Sequence, residues 1–269
     1  VDMRAPYWVY GGLQDNGTWG APVATRTSNG ITCDLWIRTG GGDGFYPAID
    51  PTDHNVIYAE SQNGNLSRFD YATRESKNIR PQENPGDNLR YNWSAPLLIS
   101  PHDNRTLWFG ANLLFKSTNR GDSWTRVSGD LTRALDRDRL PIMGLNGPGG
   151  FGRHQGTAEF GNLATIEESK LRRGLLYTGS DDGVIGVSRD GGANWRKIQS
   201  FPGVPDMTYV SRVIASAHNE ATAYATFDGH RNNDFKPYVL KTTDYGQTWT
   251  SITSNLPEGS VYVIREHHR

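Results

Sequence analysis

Short apolar runs alternate with polar turns along this chain, and one arrangement of the two recurs four times. In each copy an apolar run is followed by a polar turn and then by a second apolar run that ends near an aromatic residue. The copies span residues 48–58, 98–109, 164–177 and 213–224. Repeats of roughly 45–50 residues that each contain four short strands are typical of β-propeller blades. The pattern therefore predicts an all-β fold made of similar small sheets.

A second pattern, Ser/Thr-x-Asp/Asn-x-Gly-x-x-Trp, follows three of these copies. Its Asp or Asn side chain is suited to accept backbone N–H bonds within a tight turn, and its Gly tolerates the positive φ that such turns need. The Trp supplies a large apolar surface that covers the turn. We interpret the motif as a reinforced β-hairpin with a structural role. Its members are Ser117, Asn119, Gly121 and Trp124; Ser188, Asp190, Gly192 and Trp195; and Thr242, Asp244, Gly246 and Trp249.

Together the two patterns predict a partial β-propeller of about five four-stranded blades plus the first strand of a sixth. Because an open arc leaves strand edges exposed, we expect the remaining blades to come from the same longer chain or from another subunit. We treat the whole chain, 1–269, as one propeller segment. Its predicted units are 1–40, 41–91, 92–130, 160–205 and 206–257, with a loop insertion at 131–159 and an open end at 258–269.

Composition narrows the classes of partner. Apolar residues make up only 35% of the chain while aromatic residues reach 11%, which favours many thin sheets over one thick core. The net charge of −1, with both signs mixed throughout, gives no reason to expect a nucleic-acid partner. No apolar run has the length of a membrane span, and the single cysteine, Cys33, excludes an internal disulfide.

The three hairpin motifs resemble the Asp-box, or bacterial neuraminidase repeat, of sialidases, sortilin-type receptors and xyloglucan-cleaving glycoside hydrolases. Further segments resemble the large exported bacterial proteins described as sortilin-like or glycosyl-hydrolase-like repeat proteins. These segments are 8–17, 40–45, 90–96, 180–183 and 227–231. The resemblance covers essentially the whole chain. It implies a β-propeller in an extracellular, periplasmic or cell-surface protein, with the motifs in structural positions.

The resemblance also allows the enzymatic hypotheses to be weighed. The early Arg-Ile-Pro motif of sialidases is missing here. A xyloglucanase-type hydrolase needs two carboxylates across a cleft, and alignment with that family places Gln62 where its catalytic base should be. Because an amide cannot deprotonate water, hydrolysis would need a substitute, and the weak candidates are Asp43, Glu60 and Asp228. Whether the protein is an enzyme stays open at this point; if it is one, we expect a glycoside hydrolase.

A binding scaffold requires less, because propeller loops present aromatic and arginine side chains that stack on sugars or anchor peptides. The predicted ligand-binding residues are Arg90, Tyr91, Trp93, Arg153, His154, His230 and Arg231. Asp228, His230 and Asp234 match a calcium-loop spacing only in part, so we expect no metal and no cofactor. We favour an exported or surface scaffold that binds a protein or a polysaccharide; the alternative is a xyloglucanase-like hydrolase that uses a carboxylate acid/base pair.

Overall fold

The computed structural model describes residues 1–141 and 159–267. Within these residues, nineteen strands form five antiparallel sheets, and the remaining regular structure consists of short 3-10 helices. The helices are Cys33–Leu35, Gln62–Gly64, Arg137–Arg139 and His230–Asn232. No helix in this part of the chain has the length and apolarity that a bilayer crossing requires.

The sheets follow one another along the chain, and each is a simple meander. The first comprises β1 (Trp8–Leu13), β2 (Gly17–Pro22) and β3 (Ile37–Gly40). The second comprises β4 (Ala48–Ile49), β5 (Val56–Ser61), β6 (Asn65–Asp70) and β7 (Ser76–Asn78). The third comprises β8 (Leu97–Ile99), β9 (Leu107–Gly110), β10 (Leu114–Ser117) and β11 (Thr125–Arg126). The fourth comprises β12 (Leu163–Glu168), β13 (Leu176–Ser180), β14 (Ile185–Ser188) and β15 (Arg196–Ile198). The fifth comprises β16 (Tyr209–Ala215), β17 (Ala223–Asp228), β18 (Tyr238–Thr242) and β19 (Thr250–Ser251).

Contacts between sheets arrange them around a common axis. From the second sheet to the fifth, the first strand of each sheet lies beside the first strand of the next, so that β4 contacts β8, β8 contacts β12 and β12 contacts β16; the first sheet contacts the second through β3. These strands therefore face the centre of the arc, and the last strands lie at its outer rim. The predicted β-propeller fold is confirmed. The first sheet departs from the prediction, because its described residues form three strands instead of four.

Three hydrophobic cores lie between neighbouring sheets. One fills the space between the second and third sheets, another that between the third and fourth, and the largest that between the fourth and fifth. The second strands supply most of the fully buried bulk, including Tyr58, Trp108, Phe109, Tyr177 and Phe227. Because each core belongs to two sheets, no sheet buries its apolar faces alone.

The repeated hairpin motif makes the same hydrogen bonds in each copy. In the fourth sheet, Gly192 N donates to Ser188 Oγ (2.9 Å), and both Ser188 Oγ and Asn194 N donate to Asp190 Oδ1 (2.9 Å each). The Ser117 and Thr242 copies repeat this set. The indole N–H of Trp195 also donates to Val127 O of the preceding sheet (2.9 Å). The motif thus closes its own turn, and in this copy it also ties the fourth sheet to the third.

The segment 258–267 forms no strand. Its Glu266 carboxylate nevertheless accepts hydrogen bonds from Ser216 Oγ (2.8 Å), Ala217 N (2.7 Å) and Tyr224 OH (3.0 Å) of the fifth sheet. The segment therefore lies where the first strand of a following blade is expected. In the other sheets the first strand pairs with its own second strand, and no such partner exists for it within the described residues.

A related contact joins the third sheet to the fourth, where Trp108 Nε1 donates to Glu168 Oε2 (2.8 Å). Trp108 and Tyr224 occupy equivalent positions in their second strands, as do Tyr58 and Tyr177. The hydroxyls of Tyr58 and Tyr177 are buried and have no hydrogen-bond partner among the described residues. The residue at this position thus makes a hydrogen bond to the following sheet or segment in two cases and, within the described part of the chain, none in the other two.

Candidate functional site

Asp43, a predicted catalytic candidate, is buried and has a structural role in the loop before the second sheet. Its Oδ1 accepts a hydrogen bond from Asp15 N (2.6 Å), and its own N–H donates to Gln62 Oε1 (3.0 Å). The pair of bonds fixes the loop between the first two sheets. The amide of Gln62, the residue aligned with a catalytic base, is therefore used to hold backbone.

Glu60 lies in β5, and its side chain is directed toward the third sheet. Glu60 Oε1 accepts a hydrogen bond from Ala95 N (3.2 Å), whereas Oε2 is buried without a partner among the described residues. Burial raises the pKa of Glu60 to about 9, although backbone N–H groups of Ala95 and Gly64 act in the opposite direction. The carboxyl is therefore neutral at physiological pH and cannot serve as a general base there.

Asp228, at the end of β17, is bound by its own neighbour. Asp228 Oδ2 lies 2.6 Å from His230 Nδ1, and Oδ1 accepts a hydrogen bond from His230 N (3.0 Å). Burial disfavours the ionised form of Asp228, but these hydrogen bonds outweigh it and lower the pKa of the carboxyl. Asp234 instead accepts a hydrogen bond from Tyr238 OH (2.6 Å). Within the described residues, no group of three His, Cys, Asp or Glu side chains is arranged to hold a metal ion.

Of the predicted ligand-binding residues, Arg90 is engaged within the protein. Its Nε donates to Gly161 O (2.9 Å) and its Nη2 to Asp130 Oδ2 (2.7 Å), so it ties the third sheet to the segment that enters the fourth. Tyr91, which was also predicted to bind a ligand, lies in the core between the second and third sheets with 4% exposure. It packs against Gly64, where an added Cβ would come within 2.3 Å of the Tyr91 ring.

The other predicted ligand-binding residues differ in their surroundings. Trp93 is half-buried in the segment before β8. His230 is half-exposed and paired with Asp228. The guanidinium of Arg231 lies over the Tyr209 ring, 4.8 Å from its centroid. Arg153 and His154 lie outside the described residues, as does most of the predicted loop insertion 131–159.

Five side chains meet where the third, fourth and fifth sheets begin, and we call them the mouth cluster: Asn92, Asn162, Asp181, Tyr209 and Arg231. Asn92 Nδ2 donates to Asn162 Oδ1 (2.7 Å), and Asn92 also lies near Tyr209. Asp181 Oδ1 accepts hydrogen bonds from Asn162 N (2.9 Å) and Gly161 N (3.0 Å). Because the first strands face the axis, this cluster lies at one end of the central channel.

The acid of the mouth cluster has a perturbed pKa. Burial raises the pKa of Asp181 to about 7, and the neighbouring Asp182 adds to that effect. The backbone N–H groups of Asn162 and Gly161, and the charge of Arg231, reduce it only in part. Asp181 is therefore able to exchange a proton near neutral pH. Perturbed acids of this kind concentrate at functional sites.

A second group, the inner cluster, lies farther along the first strands and comprises Tyr46, Glu167, Lys170, Arg212 and Arg265. The Arg212 guanidinium lies 6.0 Å from the centroid of the Tyr46 ring, although Tyr46 precedes the second sheet and Arg212 belongs to the fifth. The pair therefore spans the channel. Burial raises the pKa of Glu167 to about 7, against the opposing charges of Lys170, Arg265 and Arg212.

Asp181 and Glu167, the two acids with raised pKa values, were not predicted from the sequence. The sequence features that could have identified them differ. Asp181 lies in the turn Ser180-Asp181-Asp182-Gly183, whose composition is typical of any tight turn. Glu167 and Glu168 stand side by side at the end of an otherwise apolar first strand, and a carboxylate pair in that position was the usable signal.

Comparisons with known proteins agree with this architecture. No model of a known protein family matches the chain. The xyloglucanase Xgh74A of Acetivibrio thermocellus is 24% identical over 266 residues, which is 86% of this chain and 28% of that protein. A xyloglucanase of a Paenibacillus species is 25% identical over 268 residues, 84% of this chain and 24% of that protein. The chain is similar to propeller-type glycoside hydrolases.

A solved structure extends the likeness to three dimensions. The crystal structure of an ancestral GH74 enzyme superposes on this chain with a TM-score of 0.62 at 16% identity. The superposition covers 94% of this chain and 30% of the chain of that enzyme. That likeness concerns the fold. The chain spans about a quarter of the length of the xyloglucanases it matches.

Proposed function

We propose that this chain is a polysaccharide-binding β-propeller segment of an exported, glycosyl-hydrolase-like protein, and that it binds its ligand at the mouth of the central channel without cleaving it. The mouth cluster carries this proposal. It combines an aromatic ring under a guanidinium, Tyr209 and Arg231, with the amides of Asn92 and Asn162. Aromatic faces stack on sugar rings, and amides and guanidinium groups bind sugar hydroxyls.

The state of the predicted carboxylates supports binding without cleavage. Asp43 caps a backbone N–H, Glu60 is buried and neutral, and Asp228 is paired with His230. Glycoside hydrolysis needs a proton donor and a base or nucleophile across one cleft. Each of these three carboxylates is held by its own local contacts, so none of them supports that pairing.

The similarity to xyloglucanases suggests the neutral probe for the test, a soluble xyloglucan oligosaccharide. We expect saturable binding by isothermal titration calorimetry and a loss of roughly tenfold or more in affinity for Arg231→Ala, since a charge-assisted bond contributes about 1.5–3 kcal/mol. Arg189→Ala is the matched control, because Arg189 lies over the Tyr245 ring (4.0 Å) at the outer rim. Equal losses in both variants, or binding that survives Arg231→Ala, would contradict the assignment of the mouth cluster.

Hydrolysis is the second candidate function, and the sequence similarity to xyloglucanases favours it. In that case the proton donor would be sought in Asp181 or Glu167, whose pKa values near 7 suit a general acid. Release of new reducing ends from xyloglucan that is lost in Asp181→Asn or Glu167→Gln would establish it. Absence of release from the purified protein, together with intact binding, would favour the scaffold.

A further inference from the structure

The inner cluster has an excess of positive charge. Lys170, Arg265 and Arg212 all act on the single carboxylate of Glu167. Glu168 is the other acid that acts on Glu167, but its own carboxylate is occupied, since it accepts hydrogen bonds from Trp108 Nε1 (2.8 Å) and Gly174 N (2.9 Å). The three cations therefore outnumber the carboxylates of Glu167 and Glu168 on the channel side of the sheets.

The guanidinium group of Arg212 does not make all the hydrogen bonds that it could make. Its Nε is buried and has no hydrogen-bond partner among the described residues. Arg120 Nε is also buried without a partner in this part of the chain, but Arg120 Nη2 donates to Asp50 Oδ2 (3.0 Å). Arg133 donates to Asp182 O (2.8 Å) and Gln199 O (2.7 Å). Because a buried donor without an acceptor is unfavourable, an oxygen supplied by a ligand would stabilise Arg212.

The Arg212 guanidinium and the Tyr46 ring beside it suit different parts of one ligand. A guanidinium matches a carboxylate geometrically, through two parallel N–H···O bonds. The Tyr46 ring is 67% exposed, which leaves a face free for a sugar ring. A uronic acid residue carries both a ring and a carboxylate.

We propose that the inner cluster binds a uronic acid residue of an acidic polysaccharide, with its carboxylate on Arg212 and its ring against Tyr46. This inference rests on the proposed polysaccharide-binding function and assigns the class of sugar. It goes beyond the mouth cluster, whose amide groups and aromatic ring suit neutral sugars as well as acidic ones.

Binding of an anion at this position is linked to protonation of Glu167. Burial and the nearby Glu168 favour the neutral form of this side chain, while Lys170, Arg265 and Arg212 favour the ionised form. A ligand carboxylate on Arg212 offsets the cations and repels ionised Glu167, so the bound state takes up a proton. The affinity is therefore highest below a pH of about 7 and falls as the pH rises through that value.

The test is isothermal titration calorimetry of the purified protein with a galacturonate trimer, whose carboxylates are ionised at about pH 5.5 and about pH 8 alike. If only protein with neutral Glu167 binds, a pKa near 7 predicts affinity about tenfold weaker at about pH 8. Glu167→Gln should bind equally at both pH values. Arg212→Gln should lose roughly tenfold or more at about pH 5.5, whereas Arg189→Gln, at the outer rim, should match the parent protein.

The outcomes separate this inference from the proposed function. Binding of the neutral xyloglucan oligosaccharide without preference for the galacturonate trimer would overturn the uronate assignment and leave polysaccharide binding intact. Binding of neither sugar would contradict both. Equal affinity for a sulfated oligosaccharide, or tighter binding of an acidic peptide, would also overturn the assignment. If Arg212→Gln fails to fold, as judged by circular dichroism, the pH dependence and its loss in Glu167→Gln decide the question.

Discussion

The outer rim and the channel side of this propeller differ in the range of their hydrogen bonds along the chain and in whether these bonds are repeated. At the rim, Ser188, Asp190 and Gly192 make hydrogen bonds over two to four residues, and two other hairpins repeat the set. On the channel side, Asn92 and Asn162 are 70 residues apart in the chain, and their bond has no counterpart elsewhere among the described residues. Repetition therefore identifies what holds the sheets together, and the contacts without counterparts are the ones to which we assign ligand binding.

The largest effect is expected from breaking the rim at Gly192. Its φ is +96°, and an added Cβ would lie 2.9 Å from Val127 Cβ in the preceding sheet. Gly192→Ala should therefore lower the free energy of unfolding by roughly 2–5 kcal/mol, from backbone strain and steric overlap together. Gly191→Ala is the control, because Gly191 has a φ of +73° but open space around its Cβ position. Equal destabilisation in urea titrations would show that packing against Val127 is unimportant.

Arginines at the channel mouth allow stability to be separated from binding. Arg90 bridges Gly161 and Asp130, so Arg90→Ala should cost roughly 2–3 kcal/mol of stability. Arg231 stacks on Tyr209 instead, so its removal should change stability by no more than about 0.5 kcal/mol while it weakens ligand binding. Thermal denaturation and calorimetric titration of both variants check this division. A strongly destabilised Arg231→Ala would place Arg231 among the structural residues.

Glu60 makes the stability of the folded protein depend on pH. Its pKa is about 9 in the folded protein and near 4.5 when exposed, so the folded state holds a proton that the unfolded chain releases between these values. The contribution of Glu60 to stability should accordingly be full below about pH 4.5 and fall as the pH rises toward 9. Glu60→Gln should be more stable than the parent by roughly 1–3 kcal/mol at about pH 8, with little difference at about pH 4. A constant difference in urea denaturation across this range would contradict the protonated state.

The smallest effect is expected from Asp190→Asn. Asn119 already fills this position in the third sheet, where its Oδ1 accepts from Ser117 Oγ (2.9 Å) and Ser123 N (2.9 Å). An amide therefore replaces the carboxylate at the rim without loss of the turn, and the midpoint of thermal unfolding should not change measurably. A clear decrease would mean that the charge of Asp190, and not only its acceptor oxygen, stabilises the hairpin.

The rim was predictable from the sequence because its causes are local. The acceptor, the glycine and the tryptophan of each hairpin occur within eight residues, so their spacing alone indicates the turn. The number of sheets followed from the recurrence of this motif together with the apolar pattern. The three strands of the first sheet did not follow, since neither pattern marks its limits.

The channel side was predictable only in part because its contacts depend on which sheets become neighbours. Arg231 was identified as an exposed arginine in a loop, and it lies in the mouth cluster. Tyr91 looked equivalent in the sequence, yet it fills the space that the missing side chain of Gly64 leaves open. Glu167 and Arg212 belong to different sheets, and no spacing along the chain reveals that they share one channel.

The bonds from Trp108 to Glu168 and from Tyr224 to Glu266 distinguish their junctions from the others. At the equivalent places, the hydroxyls of Tyr58 and Tyr177 meet no acceptor within the described residues. Blades that look alike are therefore not interchangeable, since a blade moved to another junction would bring a carboxylate where none is matched, or lack one where it is needed. Exchange of two blades would therefore leave a buried polar group unpaired, which is unfavourable, so the order of the blades contributes to the stability of the fold.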